Sequence, residues 1–262
     1  MNFADKVAVV TGGASGIGRA TCEAFARYGA NVVVVDCNDG EPVARAIRQG
    51  GREAVFVRAD TSKPEEVQRY VDAASERFGR IDCFFNNAGI GGVISPITDY
   101  PEDDFDAVMA VNAKGVFLGL KYVLPVMIKQ RSGAVVNMSS GAALIASMGM
   151  SAYIASKHAV IGLTKAASGE AGPFGVRVNA IMPTNVDTAM SQKLQSQFDD
   201  PQAAKERYRK SIPLQRFPTP SDIANGVLFL CSDLAGCISG IKLPIDGGRT
   251  ATAGSFANSA EE

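Results

Sequence analysis

Short apolar runs of strand length alternate with helix-length segments along nearly the whole chain. This alternation limits the fold more than any other feature. The runs Lys6–Val10, Asn31–Val35, Ala54–Arg58, Ile81–Phe85, Ala134–Ser139, Val176–Ile181 and Lys242–Ile245 read as strands. Between them lie helical segments near Gly16–Tyr28, Glu41–Arg48, Pro64–Phe78, Asp104–Arg131, Ala152–Gly169, Ala189–Lys210 and Ser221–Leu230. Pro64 stands in the first turn of its helix, where a missing N–H costs little, and Pro125 is expected to kink the long fourth segment. Several strands are unbroken Val/Ile/Ala runs, as in parallel sheets buried on both faces. Strands and helices at this spacing imply βαβ units, and right-handed crossovers then cover both faces with helices. The expected class is α/β, with one doubly wound parallel sheet of about seven strands.

With 262 residues the chain is near the upper size of a single core. It reads as one domain over residues 1–248, including a substrate flap at about 184–210. The tail 249–262 is small and polar and is expected to be partly disordered. Apolar residues make up 46% and charged residues 20%, a balance suited to a soluble enzyme. The net charge of -1 and the lack of any basic run speak against nucleic-acid binding. The apolar stretches read as too short for a membrane span. The N-terminus enters a strand within six residues, leaving no room for a leader. The five cysteines are scattered and form no C-x-x-C pair, so a reduced, cytoplasmic protein is expected.

The first strand runs into Thr11-Gly12-Gly13-Ala14-Ser15-Gly16-Ile17-Gly18. Such a turn lets the backbone approach a pyrophosphate, which the following helix N-terminus then attracts through its N–H groups and dipole. The spacing is G-x-x-x-G-x-G, and alone it also fits a methyltransferase or a purely structural turn. Asp36 adds weight. It ends the second strand 18 residues after Gly18, where a carboxylate can accept from ribose hydroxyls and repel a 2′-phosphate. Its neighbours Ser15 and Cys37 carry no charge to hold that phosphate, so NAD is expected over NADP. Arg19, just past the turn, reads as structural.

Tyr153 and Lys157 lie four residues apart on one helix and share a face. A free tyrosine has a pKa of about 10, and bringing it about two units lower requires roughly 3 kcal/mol. A lysine ammonium and a positive nicotinamide ring would both favour the phenolate. Ser140 follows the fifth strand and can enter the crevice where such sheets bind ligands. A Tyr-x-x-x-Lys pair also arises by chance, with the tyrosine packed and the lysine snorkelling. His158, the only histidine, points about 100° away from Lys157 on the helix and reads as a packed or surface residue.

From about Lys6 to Gly248 the chain resembles the short-chain dehydrogenase/reductase family, of Rossmann-type fold. The resemblance rests on Thr11–Gly18, Asp60, Asn86-Asn87-Ala88-Gly89, Asn112, Ser140, Tyr153-Ile154-Ala155-Ser156-Lys157, Pro183 with Thr188, and Asp246-Gly247-Gly248, in family order. It implies that Tyr153 is the general acid/base, that Lys157 lowers its pKa and binds a ribose, and that Ser140 polarises the substrate oxygen. Asn112 would position a water leading from Lys157 to solvent. Gly12, Ser15, Gly16, Ile17 and Gly18 would surround the pyrophosphate, and Asp36 the adenine-side ribose. Asp60 and Thr61 would touch adenine. Asn87, Ala88, Gly89, Pro183 and Val186 would line the cofactor, and Thr188 would bond the diphosphate or the carboxamide. The Asn86–Gly89 segment also reads as a strand end that stabilises the sheet. The implied chemistry is direct hydride transfer between NAD(H) and a secondary alcohol or ketone, with no metal.

The family usually has glycine where this chain has Thr184. If that position needs a positive φ, a β-branched residue is strained there; Thr184 is expected to reshape the substrate side. The pocket walls are expected at Ile90–Pro96, Gly141–Ala152 and the flap. The second carries Ala142, Leu144, Ile145, Met148 and Met150 and no charge, which points to an uncharged, fairly apolar substrate, alicyclic or aromatic. The small face Ala152, Ala155, Ser156, Ala159 and Gly162, with Val116, Phe117 and Leu120, suits the homotetramer that the resemblance implies, or ordinary packing on the sheet. A methyltransferase explains the glycine turn but not Ser140, Tyr153 and Lys157. A catalytically silent NAD-binding scaffold or sensor is the other alternative, although silent members usually lose the tyrosine or lysine.

Overall fold

The computed structural model describes residues 1–188, 191–192, 196–197 and 200–251. Seven strands form one sheet: β1 (Val7–Thr11), β2 (Asn31–Asp36), β3 (Ala54–Arg58), β4 (Cys83–Asn86), β5 (Gly133–Met138), β6 (Val176–Pro183) and β7 (Lys242–Ile245). Their order is β3-β2-β1-β4-β5-β6-β7, and every pairing is parallel. The helices are α1 (Gly16–Arg27), α2 (Glu41–Gln49), α3 (Pro64–Phe78), α4 (Glu102–Met109), α5 (Gly115–Gln130), α6 (Ser151–Ala171), α7 (Pro201–Lys210) and α8 (Pro220–Cys231).

Strand alternation divides the core into two layers. Ala8, Val10, Val32 and Val34 face α1, α2 and α8 and pack with Phe25, Ile47 and Leu228. Val7, Val9, Val33 and Val35 face the other way and pack with Tyr70 of α3, Met127 of α5 and Val160 of α6. Successive side chains of one strand point to opposite faces, so these continuous valine runs feed both layers. That is the sequence signature of a parallel sheet covered on both sides.

Two expectations are corrected. The segment predicted as one helix over Asp104–Arg131 begins at Glu102 and is interrupted by a π-helical turn at Ala110–Lys114. The break is therefore at this turn and not at Pro125, which α5 carries within its length. Pro125 is exposed, so water can serve the Lys121 carbonyl that its missing N–H leaves without a partner. The predicted Ala189–Lys210 helix is not continuous: Ser191 and Gln192 are helical, but Asp200 is extended and α7 starts at Pro201, where the Asp200 carboxylate caps it by accepting from Ala203 N at 2.9 Å. Ala189, Met190, Lys193–Gln195, Phe198 and Asp199 of the predicted flap, and 252–262 of the predicted tail, lie outside the described residues. By length and composition alone Glu102–Gln130 could cross a membrane, but 56% of its most apolar window is buried within the fold.

The β1–α1 turn is set by contact between backbones. Gly12 has φ of 66°, a left-handed conformation natural to glycine. Gly18 lies over that turn, and a Cβ there would overlap the Gly12 carbonyl oxygen. Gly18→Ala should therefore push α1 off the turn and cost about 1–3 kcal/mol, as overpacking does. Urea denaturation checks this; a midpoint equal to the wild type's would show that the turn has room to yield.

Candidate active site

The carboxyl ends of the strands open onto a cavity of about 670 Å³. With one exception, the residues expected from the sequence to bind the cofactor or carry the chemistry line it: Gly12, Ser15, Gly16, Ile17, Gly18, Asp36, Asp60, Thr61, Asn87, Ala88, Gly89, Ser140, Tyr153, Lys157, Pro183, Val186 and Thr188. The exception is Asn112, fully buried behind the wall. His158 lies outside, exposed, with Nδ1 2.9 Å from the Ile154 carbonyl.

At one end, α1 begins over the glycine turn with Ser15 as its N-cap. No side chain caps it and no acidic residue occupies its first turn. Those N–H groups and the helix dipole remain available to an anion. Thr188 leans over the turn, its Cγ2 close to where a Cβ on Gly16 would stand. Asp36 is buried at the end of β2. Its Oδ2 accepts from Ala14 N at 3.0 Å and its Oδ1 from Asn38 N and Nδ2 at 2.9 and 3.1 Å. The carboxylate is thus fixed between turn and loop, with lone pairs left for a ribose. Asp60 accepts from Ser62 N and Oγ at 2.9 and 2.7 Å. Arg19 is paired with Glu23 on α1. Arg58 is turned to the Cys37 carbonyl at 2.7 Å and does not line the cavity.

At the other end the residues come from β5, α6 and the π turn. Ser140 follows β5, and its Oγ accepts from Ala142 N at 3.1 Å. Lys157, 3% exposed, places Nζ 5.4 Å from the centre of the Tyr153 ring and donates to the Met138 carbonyl at 3.0 Å. Ser139 Oγ anchors the same helix by donating to the Lys157 carbonyl at 2.9 Å. The amide of Asn112 clamps Ile90: Oδ1 accepts its N–H at 2.8 Å, and Nδ2 donates to its carbonyl at 2.9 Å and to Ser156 Oγ at 3.2 Å. The Asn112 side chain is therefore engaged by protein, so any water it positions must meet its backbone.

Burial lowers the Lys157 pKa to about 8. Burial also raises the Tyr153 phenol above its ordinary value; hydrogen bonding with Ser140 lowers it only in part, and Tyr208 nearby raises it further. The chain by itself therefore does not supply the phenolate expected from the Tyr153–Lys157 spacing, and added positive charge is needed to reach it.

Thr184 shows no strain, because its φ is not positive. Its hydroxyl is 2.7 Å from that of Tyr208 on α7, which ties the end of β6 to the flap. Tyr208, at the end of the expected flap wall, lines the cavity; Arg249 lines it as well and was not anticipated as a site residue. A signal for Arg249 did exist: it follows the carboxyl end of β7, the edge at which ligands bind in such sheets. Leu144, expected in the wall, does not line the cavity.

These residues fit a nicotinamide dinucleotide. The cradle at Gly12 and Gly18 admits no Cβ without displacement, the helix N-terminus above it is open, and Asp36 stands one strand away. A family model described as enoyl-(acyl carrier protein) reductase matches residues 12–250. Levodione reductase of Leifsonia aquatica is 40% identical over 255 residues, covering 95% of this chain and 96% of that protein. The short chain dehydrogenase/reductase astE of Aspergillus oryzae is 40% identical over 247 residues, covering 93% and 94%. A crystal structure of levodione reductase superposes with a TM-score of 0.93, at 40% identity over 96% of this chain and all of that one. One of NAD+-bound xylitol dehydrogenase gives 0.91, at 35% identity over 95% of this chain and 100% of that one. The chain belongs to the short-chain dehydrogenase/reductase family of nicotinamide-dependent oxidoreductases.

The buried Lys157 has a consequence for stability. Its folded pKa, about 8, is below the unfolded value of 10.5. Between these the unfolded state binds more protons, so stability rises with pH in that window and the cost of the buried charge is full below pH 8. Lys157→Met should abolish activity yet be more stable than the wild type at pH 7, by about 1–3 kcal/mol. The gain should shrink toward pH 10. Melts at both pH values test this; a variant less stable at each would contradict it.

Proposed function

We propose that this protein is an NAD-dependent dehydrogenase/reductase that interconverts a secondary alcohol and its ketone. The observation that carries the proposal is convergence on one cavity: Ser140, Tyr153 and Lys157 at one end, the glycine cradle and Asp36 at the other. NAD is preferred to NADP because Asp36 and Asp60 are the charged lining residues around the adenine side, and the nearby bases Arg19 and Arg58 are turned away. A 2′-phosphate there would face carboxylates without a cation.

When bound, the dinucleotide supplies the carbon that takes or returns hydride. The chain handles the proton. Ser140 holds the substrate oxygen, and in oxidation the hydroxyl proton passes to Tyr153 Oη; in reduction Tyr153 returns it. Lys157 beside the ring favours the phenolate when charged. Its Nζ reaches the Met138 carbonyl and lies near Gly89, and from there a proton can be relayed past the π turn to solvent. Asn112 keeps this wall in place through Ile90 and Ser156.

We infer a substrate that is uncharged and fairly apolar in its body, alicyclic or aromatic. Ile94, Ala142, Ile145, Met148 and Met150 supply the wall. We further propose a cytoplasmic homotetramer. All five cysteines are free thiols. Phe117 is 46% exposed on α5, and a Cβ on Gly162 of α6 would meet nothing within 4 Å, which leaves a flat face for a second copy. Val116 and Leu120, expected beside Phe117, are buried in the core.

A panel of cyclic secondary alcohols and ketones, assayed with NAD(H) and NADP(H), tests the catalytic reading. Turnover should be NAD-linked, and Tyr153→Phe should lower kcat by about 10²–10⁴-fold. Dinucleotide binding without turnover of any substrate would favour a silent sensor, and preference for NADP would refute the role given to Asp36. Size-exclusion chromatography with light scattering should give four copies, and Phe117→Glu should yield smaller species; a wild-type monomer would remove the assembly proposal.

A further inference from the structure

Arg249 follows β7 in a turn that the buried Asp246 fixes. Asp246 accepts from Gly248 N at 2.9 Å and from Thr250 N at 2.8 Å, and its carbonyl accepts from Arg249 N at 3.3 Å. The guanidinium stacks on Tyr208, 4.4 Å from the ring centre, and its Nε donates to Ser211 Oγ at 3.1 Å. Tyr208 is held in turn by Thr184. The half-buried Arg249 is thus pinned at its backbone, its face and one nitrogen. Its two terminal amino groups have no acceptor among the described residues, and none of the described carboxylates pairs with it. Arg249 and Tyr208 border both the main cavity and an adjoining one of about 320 Å³. Elsewhere the substrate wall is uncharged: Ile94, Ala142, Ile145, Met148 and Met150 are apolar, and Ser147 and Asn185 are neutral.

A guanidinium donates and never accepts, and two parallel N–H groups match an oxygen function. An immobilised arginine loses little further rotamer freedom on binding. We propose that Arg249, supported by Tyr208 and Thr184, determines specificity by binding a second oxygen function of the substrate, a carbonyl or carboxylate remote from the reacting carbon. This rests on the alcohol–ketone reading above. It also gives the threonine at position 184 a task that glycine could not perform, since only a hydroxyl there can hold Tyr208 beneath the guanidinium.

The test uses cyclohexanones bearing a methyl, a methyl ester or a carboxylate on the ring carbon opposite the ketone. The wild type should favour the ester or the carboxylate over the methyl compound in kcat/KM, and which of the two it favours identifies a neutral carbonyl or an anion. Arg249→Met should reduce that preference about tenfold or more, chiefly through KM, and Arg249→Lys should restore part of it. A wild type that favours the methyl compound, or a ratio unchanged in Arg249→Met (a uniform loss on all three included), overturns the inference and leaves the oxidoreductase reading standing. No turnover of any of the three by the wild type overturns both.

Discussion

The site depends on a cross-link between β1 and β4, neighbours in the sheet from which the chain departs in opposite directions. The buried hydroxyl of Thr11 accepts from Asn87 N and Ala88 N at 2.9 and 3.0 Å, and Asn87 Nδ2 donates to the Thr11 carbonyl at 2.7 Å. Parallel strands whose connections diverge leave a crevice between their carboxyl ends, and side chains must close the backbone bonding there. These bonds fix the glycine turn against the Asn87–Gly89 segment. That places the cofactor cradle in a set relation to Asn112 and Lys157, both of which lie close to Gly89.

Rigidity passes from this seam to the reacting end at a cost in stability. Asn112 is spent on Ile90, Ser139 on the backbone of Lys157, and Lys157 on the Met138 carbonyl. Each holds a loop or helix that an apolar core would leave looser. The price is a buried ammonium group and a phenol pushed toward its neutral form. Positive charge from a bound cofactor would favour the phenolate and oppose the ammonium, both strongly in a site of low dielectric. The phenol is thus tuned for a loaded enzyme.

The sheet was legible because strands buried on both faces leave unbroken valine runs that need no tertiary knowledge to find. The glycine turn, Asp36 and the Ser140, Tyr153 and Lys157 set were legible because each sits at a strand end or on one helix face, where spacing translates directly into position. Other features were hidden for physical reasons. The π turn at Ala110–Lys114 has no residue code, being an extra residue in an otherwise helical stretch, and it drew attention to Pro125 instead. Thr184 looked strained because its φ could not be read from residue type. The raised phenol of Tyr153 depends on burial, which spacing does not report. Arg249 belonged to a segment that seemed a polar tail, and only the close of β7 beside β6 brings it to the cavity.

Deuterium transfer from labelled NADH tests the central claim most directly. A cyclic ketone is reduced with NADH carrying deuterium at both hydrogen positions of the reactive nicotinamide carbon, and the alcohol is read by mass spectrometry. The geometry predicts one deuterium on the carbinol carbon, delivered directly to one face. Alcohol formed without deuterium would contradict the account.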